Sequence, residues 1–391
     1  MKFETIIFDR LPEHDTCWSL ITGTDGMLYI GVCGEMTGGL SAFIASYDPQ
    51  KQKVDYLLEM ADALGVPPEL GEAAQAKIHY SLVSDEEGVL YAATHCTGAP
   101  LGDGMWRPWN CWTHPVKHFR ASGLAVYDPH AKKLLFTDWL MPNEGTRCMA
   151  ISNKRRMLYG ISYPRNHFFT YHIDTRRLND LGRIGSINPQ CIFLDRGENA
   201  YTADDYGNII RCDGDREELE ETGVQIPHAP FRNGFHNVPY DAAPSPDGES
   251  VYGLTWTFGE RLFSYHFKQN KLVDFGKACG EENGEWFHII NSHAGGLVFG
   301  SDGNLYFTAN IPSARGKPTP HLIVFNPDNG RREIIGEIAC DGKPADHISR
   351  SAADFNGNLY FAEVGNRPTK LFKYAGAAGK KFTGKIMRHW G

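Results

Sequence analysis

The sequence predicts an all-β protein, a seven-bladed β-propeller whose blades are four-stranded and antiparallel. Composition is the first indication, because the 391 residues include 42 glycines and 12% aromatic residues. That mixture is typical of many turns joined by aromatic-rich strands. The second indication is a turn followed by Leu-Tyr or a related pair. It recurs at intervals of 42 to 68 residues and ends at Tyr29, Tyr91, Tyr159, Tyr201, Tyr252, Tyr306 and Tyr360.

A second recurring motif completes the repeat. Most repeats also contain an aromatic residue close to a turn, at Tyr47, Tyr127, Tyr171, Tyr265, Phe325 and Tyr374. Each repeat is therefore predicted to run strand, turn, strand, longer loop, strand, turn, strand, which is the order of a propeller blade. We expect residues 1–391 to form a single propeller domain, with the run Phe3–Phe8 paired to the last blade.

Two segments depart from the repeat. Residues 60–76 are helix-prone and link the first two blades. Residues 97–121 form an insertion between the second and third strands of the second blade, and this insertion contains Trp106, Trp109 and Trp112. A loop of this length is usually either disordered or functional. Its aromatic content argues against disorder.

Charge and composition argue against several functional classes. The net charge of −8 argues against nucleic acid as the main partner. No run approaches eighteen apolar residues, so no membrane-spanning helix is expected. The first ten residues lack the apolar core of a signal peptide, and the nine cysteines lack short paired spacing. We therefore expect a cytoplasmic protein with free thiols.

The most informative stretch is KIHYSLVSDEEGVLYAATHCTG, residues 77–98. Two short runs joined by a Gly-containing turn predict a hairpin, with His79 and His95 at its outer ends. Antiparallel pairing should bring these histidines close together at one edge. They stand twelve residues before and four residues after the repeat tyrosine. In the next blade the same two positions hold Arg147 and Tyr163.

These two positions should lie near one end of the central channel, where the first strand of a blade begins and the second ends. The collected His, Arg and Tyr side chains are not what a core would contain. The same positions and the loops beside them supply further candidates for substrate binding. These candidates are Gln190, Tyr240, Trp256, His293, His167, His236, Asn237, Trp106 and Trp109.

The residue types favour one kind of chemistry. An arginine guanidinium can bind a carboxylate through two parallel hydrogen bonds, and His or Tyr can transfer protons. Together they suit removal of a proton beside a carboxylate, followed by loss of the β-substituent. In a uronic acid the proton is on C5 and the leaving group is O4. No GxSxG, Gly-rich phosphate loop or HExxH is present, and no carboxylate pair for glycoside hydrolysis stands at the two positions.

The motifs KIHYSL, GVLYAATHCTG, SGLAVYDP, RCMAIS and MLYGISYP resemble the β-propeller polysaccharide lyases, notably the ulvan-lyase type. The resemblance is sharpest over residues 77–173. It implies cleavage of a uronic-acid-containing oligo- or polysaccharide by β-elimination, and His79 and His95 match the two histidines of that family. Arg147 would then neutralise the C6 carboxylate, one of the histidines would take the C5 proton, and Tyr163 or Tyr240 would protonate O4.

Two arrangements of metal ligands remain open. Cys96, Cys111, His114 and His118 lie close in sequence and could together hold zinc. Alternatively, His79, His95 and His293 could hold a divalent ion in the channel. The second arrangement is similar to the propeller-type oligogalacturonate lyases, which use several histidines on a metal. The ion would be Zn, Mn or Ca and would help to neutralise the carboxylate.

Three other functions are compatible with the sequence. They are a sugar hydrolase that uses histidine, a metal-dependent lactonase-type propeller for which the channel positions offer Asp205 and Asn310, and a non-catalytic interaction propeller.

Overall fold

The structure, a computed structural model, describes ten segments of the chain. They are residues 3–35, 39–67, 70–96, 110–114, 117–185, 189–227, 238–256, 260–280, 294–312 and 318–376. The described residues fall into two compact units. The first unit contains residues 7–183 and 365–370, and the second contains residues 3–6, 184–364 and 371–376.

The described chain begins with β1 (Glu4–Ile7), a strand that belongs to the last blade. The first unit then contains three blades. Their strands are β2 (Thr16–Thr22), β3 (Leu28–Cys33), β4 (Phe43–Asp48) and β5 (Lys53–Glu59); β6 (Leu82–Ser84), β7 (Leu90–Ala93), β8 (Ala121–Asp128) and β9 (Lys133–Pro142); and β10 (Gly145–Ser152), β11 (Met157–Tyr163), β12 (His167–His172) and β13 (Arg177–Arg183). Two short helices accompany them, α1 (Met60–Leu64) and α2 (Asn110–Thr113).

The second unit contains the remaining four blades. Their strands are β14 (Phe193–Leu194), β15 (Ala200–Ala203), β16 (Asn208–Asp213) and β17 (Glu218–Gln225); β18 (Pro239–Pro244), β19 (Ser250–Thr255), β20 (Arg261–His266) and β21 (Lys271–Lys277); β22 (Gly295–Phe299), β23 (Leu305–Pro312), β24 (Pro318–Phe325) and β25 (Arg332–Glu337); and β28 (His347–Ala353), β29 (Leu359–Val364) and β30 (Lys370–Tyr374) with β1. A small hairpin, β26 (Ala339–Cys340) and β27 (Lys343–Pro344), precedes the last blade.

The predicted all-β, seven-bladed propeller is confirmed: in the described residues, five four-stranded antiparallel sheets each form one blade, and an eight-stranded sheet supplies the strands of the first and last blades. Every repeat tyrosine lies on the second strand of its blade, from Tyr29 on β3 to Tyr360 on β29. The predicted pairing of the N-terminal run with the last blade is also confirmed, because β1 lies next to β30. None of the described helices is long and apolar enough to cross a membrane.

The recurring turn-and-tyrosine motif has a physical explanation in the last blade. Asp354 is buried, and one of its carboxylate oxygens accepts hydrogen bonds from the backbone N–H groups of Asn356 and Asn358, both at 2.9 Å. Its other oxygen accepts the hydroxyl of Tyr360 at 2.9 Å. One carboxylate therefore closes the turn and anchors the second strand. The same Tyr–Asp contact, at 2.7 to 3.1 Å, recurs at Tyr29–Asp25, Tyr91–Asp85, Tyr201–Asp195 and Tyr306–Asp302.

The helix expected over residues 60–76 is much shorter than predicted. Helix α1 ends at Leu64, and Gly65 follows in the left-handed conformation, with a φ of 65°. Glycine adopts this conformation readily and commonly ends a helix, and the prolines that follow cannot continue one. The insertion does lie between β7 and β8 as expected, but residues 97–109, with Trp106 and Trp109, are outside the described residues.

Replacing Asp354 with alanine should destabilise the protein by about 2–3 kcal/mol, because two backbone N–H groups and a tyrosine hydroxyl lose their acceptor. Tyr360→Phe removes only one of these bonds and should cost about 1 kcal/mol. Chemical denaturation of both variants measures the difference. Equal losses in the two variants would contradict the role given to the aspartate.

Candidate active site

The first strands of several blades each carry a β-bulge close to their start. In β10 the pairing with β11 shifts by one residue between Thr146 and Cys148, so Arg147 is the extra residue. In β2 the equivalent shift falls between Cys17 and Ser19 and makes Trp18 the extra residue. A bulge bends its strand and redirects the side chain of the bulged residue. The bulges therefore determine where these two side chains lie in the first unit.

His79 and His95 lie close together, as expected, but they are not strand partners of each other. The strand partner of His95 is Lys77, with which it exchanges both backbone hydrogen bonds, at 3.0 and 2.7 Å. The segment around His79 instead pairs with β10, where Tyr80 and Cys148 form a parallel bridge. The two imidazole centroids are nonetheless 5.8 Å apart. The two histidines are therefore close together as expected, although Lys77 and not His79 is the strand partner of His95.

Both imidazoles are packed between aromatic rings. The indole of Trp18 is stacked on His79, with centroids 4.6 Å apart and planes 20° from parallel. Tyr163 is stacked on His95 at 4.8 Å and 25°. Trp112 meets both His95 and Tyr163 edge-on, at 5.6 and 5.5 Å. These contacts restrict the orientation of both imidazole rings.

The hydrogen bonds of the two histidines are incomplete. Nδ1 of His79 lies 2.9 Å from the backbone carbonyl oxygen of Arg147. A carbonyl can only accept, so Nδ1 carries the proton and Nε2 carries the lone pair. Nε2 of His79 and Nε2 of His95 are buried and have no hydrogen-bond partner among the described residues. Buried polar atoms without partners are costly, so these atoms are suited to meet a ligand.

Two cations lie beside the imidazoles. The guanidinium of Arg147 lies 5.1 Å from the Tyr163 ring centroid, and its buried Nε has no hydrogen-bond partner among the described residues. Lys77 is only 2% exposed, and its Nζ lies 2.7 Å from a carboxylate oxygen of Glu35. Lys77 is thus paired with a carboxylate, whereas Arg147 is the better placed of the two to bind an anionic ligand.

The electrostatics keep both histidines neutral. Burial lowers the pKa of His79 well below its usual value, and the charges of Arg147 and Lys77 lower it further. Burial likewise lowers the pKa of His95, with the same two cations contributing. A neutral imidazole can accept a proton, whereas an imidazolium cannot. The cluster therefore holds two potential bases in the state that base catalysis requires.

Neighbouring residues keep His95 and Tyr163 in place. A Cβ atom at Gly145, which pairs with Tyr163, would stand only 2.8 Å from Cα of His95. Only glycine therefore leaves room for the histidine. The buried carboxylate of Glu144 pairs with Arg165 and accepts a hydrogen bond from the hydroxyl of Ser162, the residue before Tyr163.

The second unit contains a separate buried polar group. The Tyr240 hydroxyl lies 2.6 Å from Nε2 of His347, and Asp241 forms a buried ion pair with Arg350. Burial lowers the pKa of His347 to about 3, so the imidazole is neutral and its Nε2 accepts a hydrogen bond from the Tyr240 hydroxyl. Tyr240 is the extra residue of a bulge in β18, as Arg147 is in β10. Gln190, another predicted candidate, is 1% exposed and donates its backbone N–H to Pro239 at 3.2 Å.

The remaining predicted residues fall into two groups. His167 begins β12, and its Nδ1 lies 2.9 Å from the Asp180 carboxylate, while Trp256 follows β19 and donates its backbone N–H to Val238. Five predicted residues lie outside the described residues, namely His236, Asn237, His293, Trp106 and Trp109.

The described residues do not favour a metal site. Over the described segments, no three His, Cys, Asp or Glu side chains converge closely enough to hold an ion. Cys96 and Cys111 are buried together against Phe119, and Nδ1 of His114 accepts the backbone N–H of Lys117 at 2.8 Å. The predicted zinc set of Cys96, Cys111, His114 and His118 is therefore not assembled as a ligand group. The set that includes His293 extends beyond the described residues.

Three members of the cluster were missed in the sequence: Trp18, Glu35 and Lys77. A signal for Lys77 was available, because it stands two residues before His79, and alternate strand residues share a face. No local signal pointed to Trp18 or Glu35. They reach the cluster through packing between the first and second blades.

The stability of the protein should decrease on acidification. His79 and His95 have folded-state pKa values below the value near 6.5 expected for the unfolded chain. The unfolded state therefore binds more protons below about pH 6.5, and the free energy of unfolding falls as the pH drops from there. We expect a loss of roughly 1 kcal/mol or more between pH 7 and 5.5. The double variant His79→Gln/His95→Gln should lose less of its free energy of unfolding over this range. Chemical denaturation at each pH measures the difference. If stability falls with pH as steeply in the variant as in the wild type, other groups cause the loss.

Comparisons with known proteins support the fold. No family model and no curated protein matches the chain. The extracellular domain described for a one-component system of B. thetaiotaomicron has a TM-score of 0.59 at 16% identity, over 95% of this chain and 40% of that one. This chain thus spans about two fifths of the length of that extracellular domain.

Two other solved structures are similar. The Cps50 (Swd1) β-propeller domain of Myceliophteria thermophila has a TM-score of 0.57 at 11% identity, over 96% of this chain and 99% of that one. A Bacteroides uniformis protein named as a 6-phosphogluconolactonase has a TM-score of 0.51 at 14% identity, over 83% and 87% of the two chains. At such identities the likeness concerns the fold alone. This chain is a β-propeller.

Proposed function

We propose that the cluster around His79 and Arg147 binds a uronic-acid-containing oligo- or polysaccharide and cleaves it by β-elimination. The enzyme would be a carbon–oxygen lyase. The observation that carries the proposal is the combination of two features: a guanidinium whose Nε has no described partner, and two buried imidazoles whose Nε2 atoms have no hydrogen-bond partner among the described residues. In a uronic acid, the carboxylate would bind the guanidinium, and the acidic C5 proton beside it would be transferred to an imidazole nitrogen.

The hydrogen bonds support His79 as the base. Its Nδ1–H is directed to the carbonyl oxygen of Arg147, which leaves the lone pair of Nε2 available for a proton. The backbone of Arg147 thus orients the base, while its side chain binds the substrate carboxylate through parallel hydrogen bonds. One residue therefore connects the position of the base to that of the acidic proton.

The reaction proceeds in one elimination. Nε2 of His79 takes the proton from C5, and the electrons of that bond form the C4–C5 double bond as the bond from C4 to O4 breaks. Tyr163 donates its hydroxyl proton to O4. The imidazolium and phenolate formed then exchange protons with solvent. His95, stacked on Tyr163, offers hydrogen bonds to the substrate hydroxyls.

Substrate charge helps the base to act. In the free protein, Arg147 and Lys77 disfavour the imidazolium of His79. A bound carboxylate partly offsets these cations, and a nearby negative charge raises the pKa of a histidine. His79 should therefore be a stronger base with substrate bound than without it.

A panel of uronic-acid glycans tests the reaction itself. A lyase leaves a 4,5-unsaturated uronate, which absorbs in the ultraviolet, so absorbance should rise with at least one glycan. New reducing ends without any rise would identify a hydrolase and overturn the proposal. Absence of both signals on every glycan would also overturn it.

Substitutions of the cluster should abolish turnover without unfolding the protein. Arg147→Ala and His79→Ala should each lower kcat/KM by about 10²-fold or more, because each removes a group that acts on the transition state. Arg216→Ala is the matched control, since Arg216 is an exposed arginine that pairs with Asp213, Glu218 and Glu220 of its own hairpin. It should retain wild-type activity. Full activity in either cluster variant would contradict the role given to that residue.

The pH profile offers an independent check. Because the pKa of His79 lies well below 6.5 in the free protein, the acid limb of kcat/KM should lie below about pH 6.5. The limb of kcat should lie at higher pH than that of kcat/KM, since the bound carboxylate raises the pKa. If kcat/KM instead falls off with a pKa at or above 6.5, the base is not a His79 imidazole with a lowered pKa.

A further inference from the structure

Three residues of the first unit are tied together beside the proposed base. Both carboxylate oxygens of Glu35 are used, one by Nζ of Lys77 at 2.7 Å and the other by the indole N–H of Trp18. Nζ of Lys77 also lies 4.5 Å from the centroid of the Trp18 ring. The backbone N–H of Glu35 is anchored in turn to the buried Asp15 carboxylate at 2.8 Å. We call Trp18, Glu35 and Lys77 the bracket.

The bracket restrains the imidazole of His79. Trp18 is stacked on the His79 ring at 4.6 Å, and the indole can rotate away only if it loses its hydrogen bond to Glu35 and the cation over its ring. The bond from His79 Nδ1–H to the Arg147 carbonyl fixes one edge of the imidazole. The stacked indole fixes its plane. The direction of the Nε2 lone pair depends on both contacts.

Burial of the charged Lys77 side chain is energetically unfavourable. Lys77 is 2% exposed, whereas the Glu35 side chain is 23% exposed. Burying an ammonium ion costs more free energy than burying a well-packed apolar side chain of similar volume. A methionine would occupy the same space without that cost. The charge of Lys77 therefore needs an explanation other than stability.

We propose that Lys77, acting through Glu35 and Trp18, is a positioning residue that holds the His79 imidazole in the orientation needed for proton abstraction. The inference rests on the proposed lyase function, in which His79 is the base. Lys77 does not touch the substrate, because its ammonium ion is already paired with Glu35. Its charge has a second effect, since it also disfavours protonation of His79.

The test compares Lys77→Met with the wild type by kinetics and by nuclear magnetic resonance. In Lys77→Met, kcat on the active glycan should fall about 10- to 100-fold, as expected when a reacting group is misplaced by about 1 Å. KM should change less than about twofold, since substrate contacts remain. The matched control is Lys373→Met, which breaks a similar 2.8 Å ion pair with Glu4 in the second unit. It should leave both constants unchanged.

The second readout does not depend on activity. Nitrogen-15 spectra of histidine-labelled protein, with His79 assigned by its absence in His79→Gln, report which ring nitrogen carries the proton. The wild type should show the Nδ1–H tautomer. Lys77→Met should show a mixture of tautomers, because a ring that swings away from the Arg147 carbonyl loses its preference. If Lys77→Met does not fold, Glu35→Gln, which removes the ion pair and keeps the side-chain volume, takes its place.

The outcomes separate this inference from the proposed function. Wild-type kcat, or an unchanged single tautomer, would overturn the positioning role. A higher KM with unchanged kcat would show that Lys77 contacts substrate and would also overturn it. If the wild type cleaves no uronic-acid glycan, the lyase proposal fails, and the tautomer readout alone then decides whether the bracket orients His79.

Discussion

The β-bulge near the start of a first strand is the constraint on which the candidate site depends. It adds one residue to a strand whose neighbours are otherwise in register, and that residue is Trp18 in β2 and Arg147 in β10. A bulge interrupts the regular alternation of side chains along a strand and redirects the bulged residue. In the folded protein the Trp18 ring is stacked on His79, and the Arg147 guanidinium lies over the Tyr163 ring. Tyr240 in β18 occupies the same position, so the device is a feature of the repeat.

Once the bulges have placed these side chains, the site is governed by its charges. Two cations lie beside two buried imidazoles, and they remain compatible because the imidazoles are neutral. Glu35 pairs with Lys77, while Arg147 has no described carboxylate partner. The described cluster thus carries an excess positive charge in a poorly hydrated place. Such an arrangement favours an anionic ligand, and the incomplete hydrogen bonds of the histidines favour one that also carries hydroxyl groups.

Much of the fold could be predicted because its signals are local. A turn aspartate, a glycine and a tyrosine within six residues interact directly with one another, as Asp354 and Tyr360 do, so the motif appears in sequence wherever the contact exists. Counting from the tyrosine also found His79, His95, Arg147 and Tyr163, because strand positions keep a constant offset from a turn. The strand partner of His95, which is Lys77, could not be read in the same way, because no residue type marks a strand irregularity reliably.

The sequence by itself determined the propeller, the position of the insertion and the four side chains at the centre of the candidate site. All of these depend on short-range turns and on a repeat that is visible along the chain. Tertiary structure alone decided that Glu35 and Trp18 join Lys77 beside His79, that Arg147 holds the imidazole through its backbone, and that both histidines are neutral. These properties arise from contacts between blades and from burial. They join residues that lie far apart along the chain, such as Trp18 and His79, for which the chain carries no local signal.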